Sequence, residues 1–139
     1  MFHAPTFRVA VPGPGWDVTT ASDTELTLRH RGARAGILAN ADCGAASARG
    51  DLEALARRLF VGFHGRAILE RDAAAVGGLP ARHAVMEAQV TGDDDRMRVE
   101  AYVVKDERCV YDLVYVAPVA AAPGPRDDFQ RFVDSFTRE

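Results

Sequence analysis

The chain has 139 residues, 47% of them apolar and 27% charged. That is a globular composition sized for a single domain over residues 1–139, since two cores would leave about 70 residues apiece, near the lower limit for independent folding. Its 17 basic and 20 acidic residues nearly cancel, to a formal net charge of −3, which argues against a dedicated nucleic-acid surface.

Residues 7–12, Phe-Arg-Val-Ala-Val-Pro, alternate and stop at a proline, the pattern of a short strand. Gly13-Pro14-Gly15 is a turn; Trp16 follows, and then a short strand from Asp17 to Thr20. Alternation over 24–30 turns Leu26 and Leu28 toward the core and Glu25, Thr27 and Arg29 away from it. The densest basic group, Arg29, His30, Arg31 and Arg34, reads as a solvated strand end and turn, where charge discourages edge pairing. Past Gly32, residues 35–41 form another strand.

The period changes over 51–63. Leu52, Leu55, Ala56, Leu59, Phe60 and Phe63 make one stripe of an amphipathic helix, and Asp51 can accept from its unpaired N–H groups. A strand at 67–71 and a loop at Gly77-Gly78-Leu79-Pro80 lead into three alternating runs, 82–90, 97–104 and 109–117. Their short polar connections, Gly92-Asp93-Asp94-Asp95 and Asp106-Glu107, predict an antiparallel meander. The third run is apolar on both faces, with Val110, Val114 and Val116 on one and Cys109, Tyr111, Leu113 and Tyr115 on the other. Such a strand is central and covered on both sides. Residues 118–125 form a loop, and 127–138 a last helix with Phe129, Phe132, Val133 and Phe136 on its stripe.

Register follows from charge. The first hairpin of the meander can set Glu87 opposite Glu100 or, two residues shifted, opposite Arg98. Unlike charges favour Glu87–Arg98.

The chemistry-bearing residues form no familiar set. Cys43 and Cys109 belong to no CxxC or Cys/His cluster and read as two small buried apolar side chains. A disulfide is the second reading and would need an oxidising compartment. His3, His30, His64 and His83 lack metal-ligand spacing, so no transition metal and no cofactor are expected. Asp93, Asp94 and Asp95 lack the alternation of a calcium loop. The glycines make no phosphate loop, and no GxSxG-like context exists. Asp112, among valines, is expected to pair with an arginine or cap a helix. No catalytic residue is assigned.

One composite surface stands out. Strand alternation puts His83, Val85, Glu87 and Gln89 on one face with Arg98, Glu100, Tyr102, Tyr111 and Tyr115. Mixed charge with tyrosines suits a protein partner, because tyrosine offers apolar area plus a hydroxyl; the plainer reading is a sheet face partly covered by a helix, with a polar rim.

The order of elements carries a resemblance. A strand ends at a proline and Gly-Trp follows. Later come Val76-Gly77-Gly78-Leu79-Pro80-Ala81, the meander, and a closing Phe132-Val133-Asp134-Ser135-Phe136. This resembles the PsbP-like superfamily, which includes the extrinsic photosystem II protein, a Ran-binding regulator, bacterial lipoproteins and DcrB-like adaptors. The resemblance implies an α+β fold, a three-layer α/β/α sandwich around a mostly antiparallel sheet, and a stabilising or adaptor role.

The expected function is therefore a non-catalytic binding or adaptor domain presenting its sheet face to a protein partner that the sequence does not name. The alternative is a small-ligand receptor or an enzyme with an unrecognised pocket. No run of about 18 apolar residues exists to insert in a membrane. If Met1 is the native start, the lack of a basic-then-apolar leader implies the cytoplasm.

Overall fold

The computed structural model describes residues 2–44, 63–90, 96–120 and 124–139. In chain order the elements are β1 (Phe2–His3), β2 (Phe7–Val9), β3 (Trp16–Ala21), β4 (Glu25–His30), β5 (Gly36–Cys43), β6 (Phe63–Val76), β7 (Leu79–Val90), β8 (Arg96–Lys105), β9 (Cys109–Pro118), α1 (Arg126–Asp134) and β10 (Thr137–Arg138). Seven strands form an antiparallel sheet in the order β3-β4-β5-β9-β8-β7-β6, and β1-β2-β10 form a small second sheet.

The sandwich expected from the sequence is not what the described residues build. They are mostly strand, arranged in two antiparallel sheets with one nine-residue helix. The helix expected at 51–63 lies outside the described residues, apart from Phe63, which opens β6. The helix expected at 127–138 is shorter. It stops at Asp134, where Ser135 turns the chain by accepting from Ala10 N (2.8 Å) and donating to Phe132 O (2.6 Å). The tail then pairs with β2 as β10. Phe136 keeps its place in the core from beyond the helix end.

The meander is as expected. β9 is the middle strand of the seven and is buried along nearly its whole length. Glu87 faces Arg98, and the two side chains meet at 2.7 Å. The loop at Gly77–Pro80 contracts to two residues, since Leu79 and Pro80 belong to β7. Gly77 and Gly78 have φ of 57° and 79°, the left-handed pair that a two-residue hairpin turn requires. A Cβ on Gly77 would also meet Phe136 O at 2.8 Å.

One face of the large sheet carries the main core. Leu26, Leu28, Ile37, Ala39, Leu113 and Tyr115 pack there with Phe7 and Val9 of the small sheet and Phe129, Phe132 and Val133 of α1. Phe7 stacks on Phe136 at 6.1 Å and meets the edge of Tyr111 at 6.2 Å. Trp16 on β3 donates from Nε1 to Asp128 Oδ2 on α1 at 3.0 Å. The opposite face holds a smaller buried cluster: Ala84, Met86, Ala88, Val99, Ala101 and Val114.

The cysteines overturn the first reading. Cys43 and Cys109 stand directly opposite in the β5–β9 ladder and form a disulfide. Register, which the sequence spacing does not reveal for strands so far apart in the chain, brings them together.

Candidate functional site

The composite face exists, but the covering elements divide it. β7 and β8 set His83 opposite Tyr102, Glu87 opposite Arg98 and Gln89 opposite Arg96. β8 and β9 set Glu100 opposite Tyr115. Tyr111 and Tyr115 are 2% and 0% exposed, so they belong to the core. Tyr115 stacks on Phe129 of α1 at 5.6 Å, and burial pushes its hydroxyl up to about 12. Tyr111 donates to Asp106 Oδ2 at 2.8 Å, closing the β8–β9 turn. The same carboxylate accepts the backbone N–H groups of Arg108 and Cys109, and these outweigh burial and keep it below its ordinary range.

His83 and Glu100 are the buried polar pair of the described residues, at 7% and 3% exposure. His83 Nε2 lies 2.7 Å from Glu100 Oε2, and Nδ1 lies 2.9 Å from Asp72 Oδ1 on the neighbouring strand β6. Arg126, the first residue of α1, grips Glu100 with two bonds, Nε to Oε1 at 2.8 Å and Nη2 to Oε2 at 2.7 Å. It also donates to Gln130 Oε1, whose amide donates onward to Asp134. Tyr102 stacks on the His83 ring at 4.5 Å. A polar chain thus runs from an edge strand, under the helix, and along it.

Charge states follow from this geometry. The hydrogen bond to Glu100 raises His83 above 6.5, against the opposing effect of burial. Burial alone would raise Glu100, but bonds from His83 and Arg126 overcome it and bring the carboxyl down to about 2. The site is an imidazolium and a guanidinium clamped on one carboxylate, with Glu70 a further 4.0 Å contact to the ring. Neither ring nitrogen of His83 is left to take a proton from a substrate, so the arrangement is a structural clamp in which each donor has its acceptor.

A pH profile tests the clamp. The groups facing His83 are Glu70 and Asp72 from β6, Glu100 and Tyr102 from β8, with Arg126 of α1 behind Glu100. A raised folded value means that the imidazolium's contribution is complete below 6.5 and is lost as pH rises through that raised value. For Glu100 the contribution is complete above 4.5 and is lost as pH falls toward about 2. Stability should therefore be highest between those limits. His83→Asn should flatten the alkaline limb, as read from urea midpoints at about pH 5.5 and 8.5, and should also weaken the acid limb, because His83 helps to hold Glu100 down. An unchanged alkaline limb would mean that His83 is not charged in the fold.

Asp72, Arg126 and Gln130 were not legible as part of this face. Asp72 sits in the edge strand beyond the meander and Arg126 enters from a helix, so only the tertiary fold joins them. Asp112 lies on the other face of β9, half-buried, opposite Asn40 and Val103. Asp93, Asp94 and Asp95 lie outside the described residues. Among the described residues no group of His, Cys, Asp and Glu converges as a metal site, and no helix is long and apolar enough to cross a membrane. Elsewhere, an open groove of about 710 Å³ runs between Gly32, Ala33 and Arg34 and the residues Arg96, Pro118, Val119 and Ala120.

No family model and no curated protein sequence matches the chain. Solved structures do. LpqN of Mycobacterium tuberculosis, described as involved in cell envelope biogenesis, superposes at a TM-score of 0.69 with 14% identity, over 95% of this chain and 83% of its own. Cyanobacterial PsbP from Synechocystis superposes at 0.61 with 8% identity, over 99% and 95%. The fold is PsbP-like. A Bacteroides thetaiotaomicron protein matches at 0.67 with 8% identity over 96% of this chain, which spans only 45% of that longer protein. The PsbP-like resemblance read from the turn, the Gly77–Pro80 loop and the closing Ser135-Phe136 thus holds at the level of fold.

Proposed function

We propose that this PsbP-like domain is a non-catalytic binding module that meets a protein partner with the rim of its meander. The observation that carries this reading is the division of the polar face. His83, Glu100 and Arg126 satisfy one another beneath the helix, while Glu87, Arg98 and Gln89 stay partly exposed beside them. The buried clamp fixes the strands, and the rim is what another molecule can touch. A general base would need a ring nitrogen within reach of substrate, and His83 has both engaged. The apolar-lined groove at Arg34 and Arg96 is open rather than enclosed, which suits a broad contact better than an engulfed small ligand. The envelope role described for LpqN is compatible with such a module. The disulfide favours an oxidising compartment over the cytoplasm that the absence of a leader suggested.

The test separates binding from folding. Arg98→Ala should reduce capture of the partner more than tenfold, the scale of an interface arginine at about 2 kcal/mol. Its melting midpoint should stay within about 2–3 °C, because a rim change costs about 0.5 kcal/mol. Tyr102→Ala is the wrong probe, since the ring stacks on His83; Tyr102→Phe keeps the stack and removes the hydroxyl. Immobilised wild type and variants, with captured proteins identified by mass spectrometry, give the comparison. Variants that capture the same proteins in proportion to their folded fraction would rule the rim out.

A further inference from the structure

Three strands of the large sheet meet at one imidazole. His83 stands on β7, and its ring bonds to both neighbours: Nε2 to Glu100 Oε2 on β8 at 2.7 Å, and Nδ1 to Asp72 Oδ1 on β6 at 2.9 Å. Glu70, also on β6, lies 4.0 Å from the same Nδ1. The carboxylates on the two sides differ in their freedom. Glu100 is buried and gripped by both bonds from Arg126, so it stays in place. The side chains of Asp72 and Glu70 are 63% and 65% exposed, so water can take them. β6 is the last strand of the sheet, and among the described residues β7 is the strand that pairs with it. That ladder slips between Ile68 and Glu70, beside the two carboxylates.

We propose that His83 is a pH-operated latch on the edge strand: the imidazolium holds β6 through Asp72 and Glu70, and the neutral ring releases β6 while keeping its bond to β8. The reason is the number of protons. An imidazolium has two N–H donors and serves both sides at once, whereas a neutral ring has one donor and one lone pair. A donor kept on Nδ1 would leave the Nε2 lone pair facing the fixed Glu100 carboxylate at 2.7 Å. A donor kept on Nε2 leaves the Nδ1 lone pair facing Asp72 and Glu70, which can turn to solvent. The proton that departs is therefore the one on Nδ1, and the bond that breaks is the one to β6. Two acidic side chains that shared a cation are then left to repel each other. Of the other titratable or charged groups around the ring, Tyr102 stacks on its face and Arg126 is committed to Glu100. The hydrogen bond to Glu100 raises His83 above 6.5, so the latch is closed below that pH and opens as pH climbs through the raised value. It makes no use of Glu87 and Arg98, so it stands apart from the partner-binding rim.

Nitrogen NMR of the imidazole ring reads the tautomer, and amide hydrogen exchange on the whole chain reads the strand. As pH rises from about 6 to about 9, the His83 ring should pass from doubly protonated to the Nε2–H tautomer. Over the same interval, protection of the β6 amides between Glu70 and Ala74, corrected for intrinsic exchange, should fall about fivefold relative to amides in β8 and β9. That is the scale of one charged hydrogen bond to a partly exposed partner. Asp72→Asn supplies a carboxamide that can accept from Nδ1–H or donate to its lone pair. It should abolish most of the pH dependence of β6 protection and lower the titration midpoint of His83. A neutral ring that keeps its proton on Nδ1 overturns the proposal. So does a β6 that loosens no more than β8 and β9, or an Asp72→Asn variant whose β6 answers pH as the wild type does, because either leaves the imidazolium without a hold on that strand.

Discussion

Replacing Cys43 and Cys109 together by alanine should cost about 4 kcal/mol of stability. The bond closes a loop across 66 residues of separation, and releasing a loop of that length returns roughly this much conformational freedom to the unfolded chain. The melting midpoint should fall by roughly 10–20 °C. Reductant added to the wild type should reproduce the loss, because Cys43 is exposed at the end of β5 even though Cys109 is buried. Chemical denaturation of the oxidised, reduced and doubly substituted proteins measures all three states. Equal midpoints in all of them would mean that the two sulfurs are not joined.

Glu100→Ala should be nearly as damaging, at about 3 kcal/mol. Removing one partner from a buried ion cluster leaves the others uncompensated, which commonly costs about 3–5 kcal/mol. The lower end applies because the Arg126 side chain is 37% exposed and can recover some hydration, whereas His83 cannot. Removing both buried members should be milder. His83→Leu with Glu100→Leu takes away the stranded charge along with its partner, and should recover most of the loss. Urea midpoints of the two variants decide it. A double variant as unstable as Glu100→Ala would show that the cluster acts through packing and not through charge.

How far the fold could be read depended on whether the deciding interaction was local. Glu87–Arg98 was legible because its two strands are consecutive and their charges leave one good register. The central place of β9 was legible because both its faces are apolar, which no edge position tolerates. Cys43–Cys109 was not legible. It depends on β5 lying beside β9, a neighbour relation set by the packing of the whole sheet, and the strand expected at 35–41 ended short of Cys43. The end of α1 was hidden for another reason. Phe136 continues the stripe of Phe129 and Phe132 by periodicity, while the stop comes from Ser135, whose hydroxyl bonds to a backbone N–H 125 residues away. The candidate face was found at the right strands but with the wrong depth. Alternation tells which residues share a side, and only α1 and the small sheet decide that Tyr111 and Tyr115 lie beneath them while Arg98 does not.

Trp16 is the only tryptophan in the chain. It stands on the strand at one end of the large sheet, buried, with its indole N–H bonded to the Asp128 carboxylate in the first turn of α1. It also meets the edge of the His30 ring at 5.0 Å. The protein therefore contains its own optical gauge of helix docking. Indole emission responds to the polarity around the ring, so any event that lifts the start of α1 from the sheet registers as a red shift without an attached dye. The disulfide and the β6 edge lie elsewhere in the molecule, so a change confined to either leaves this signal still, and the colour of one residue distinguishes loss of the helix from loosening of the sheet.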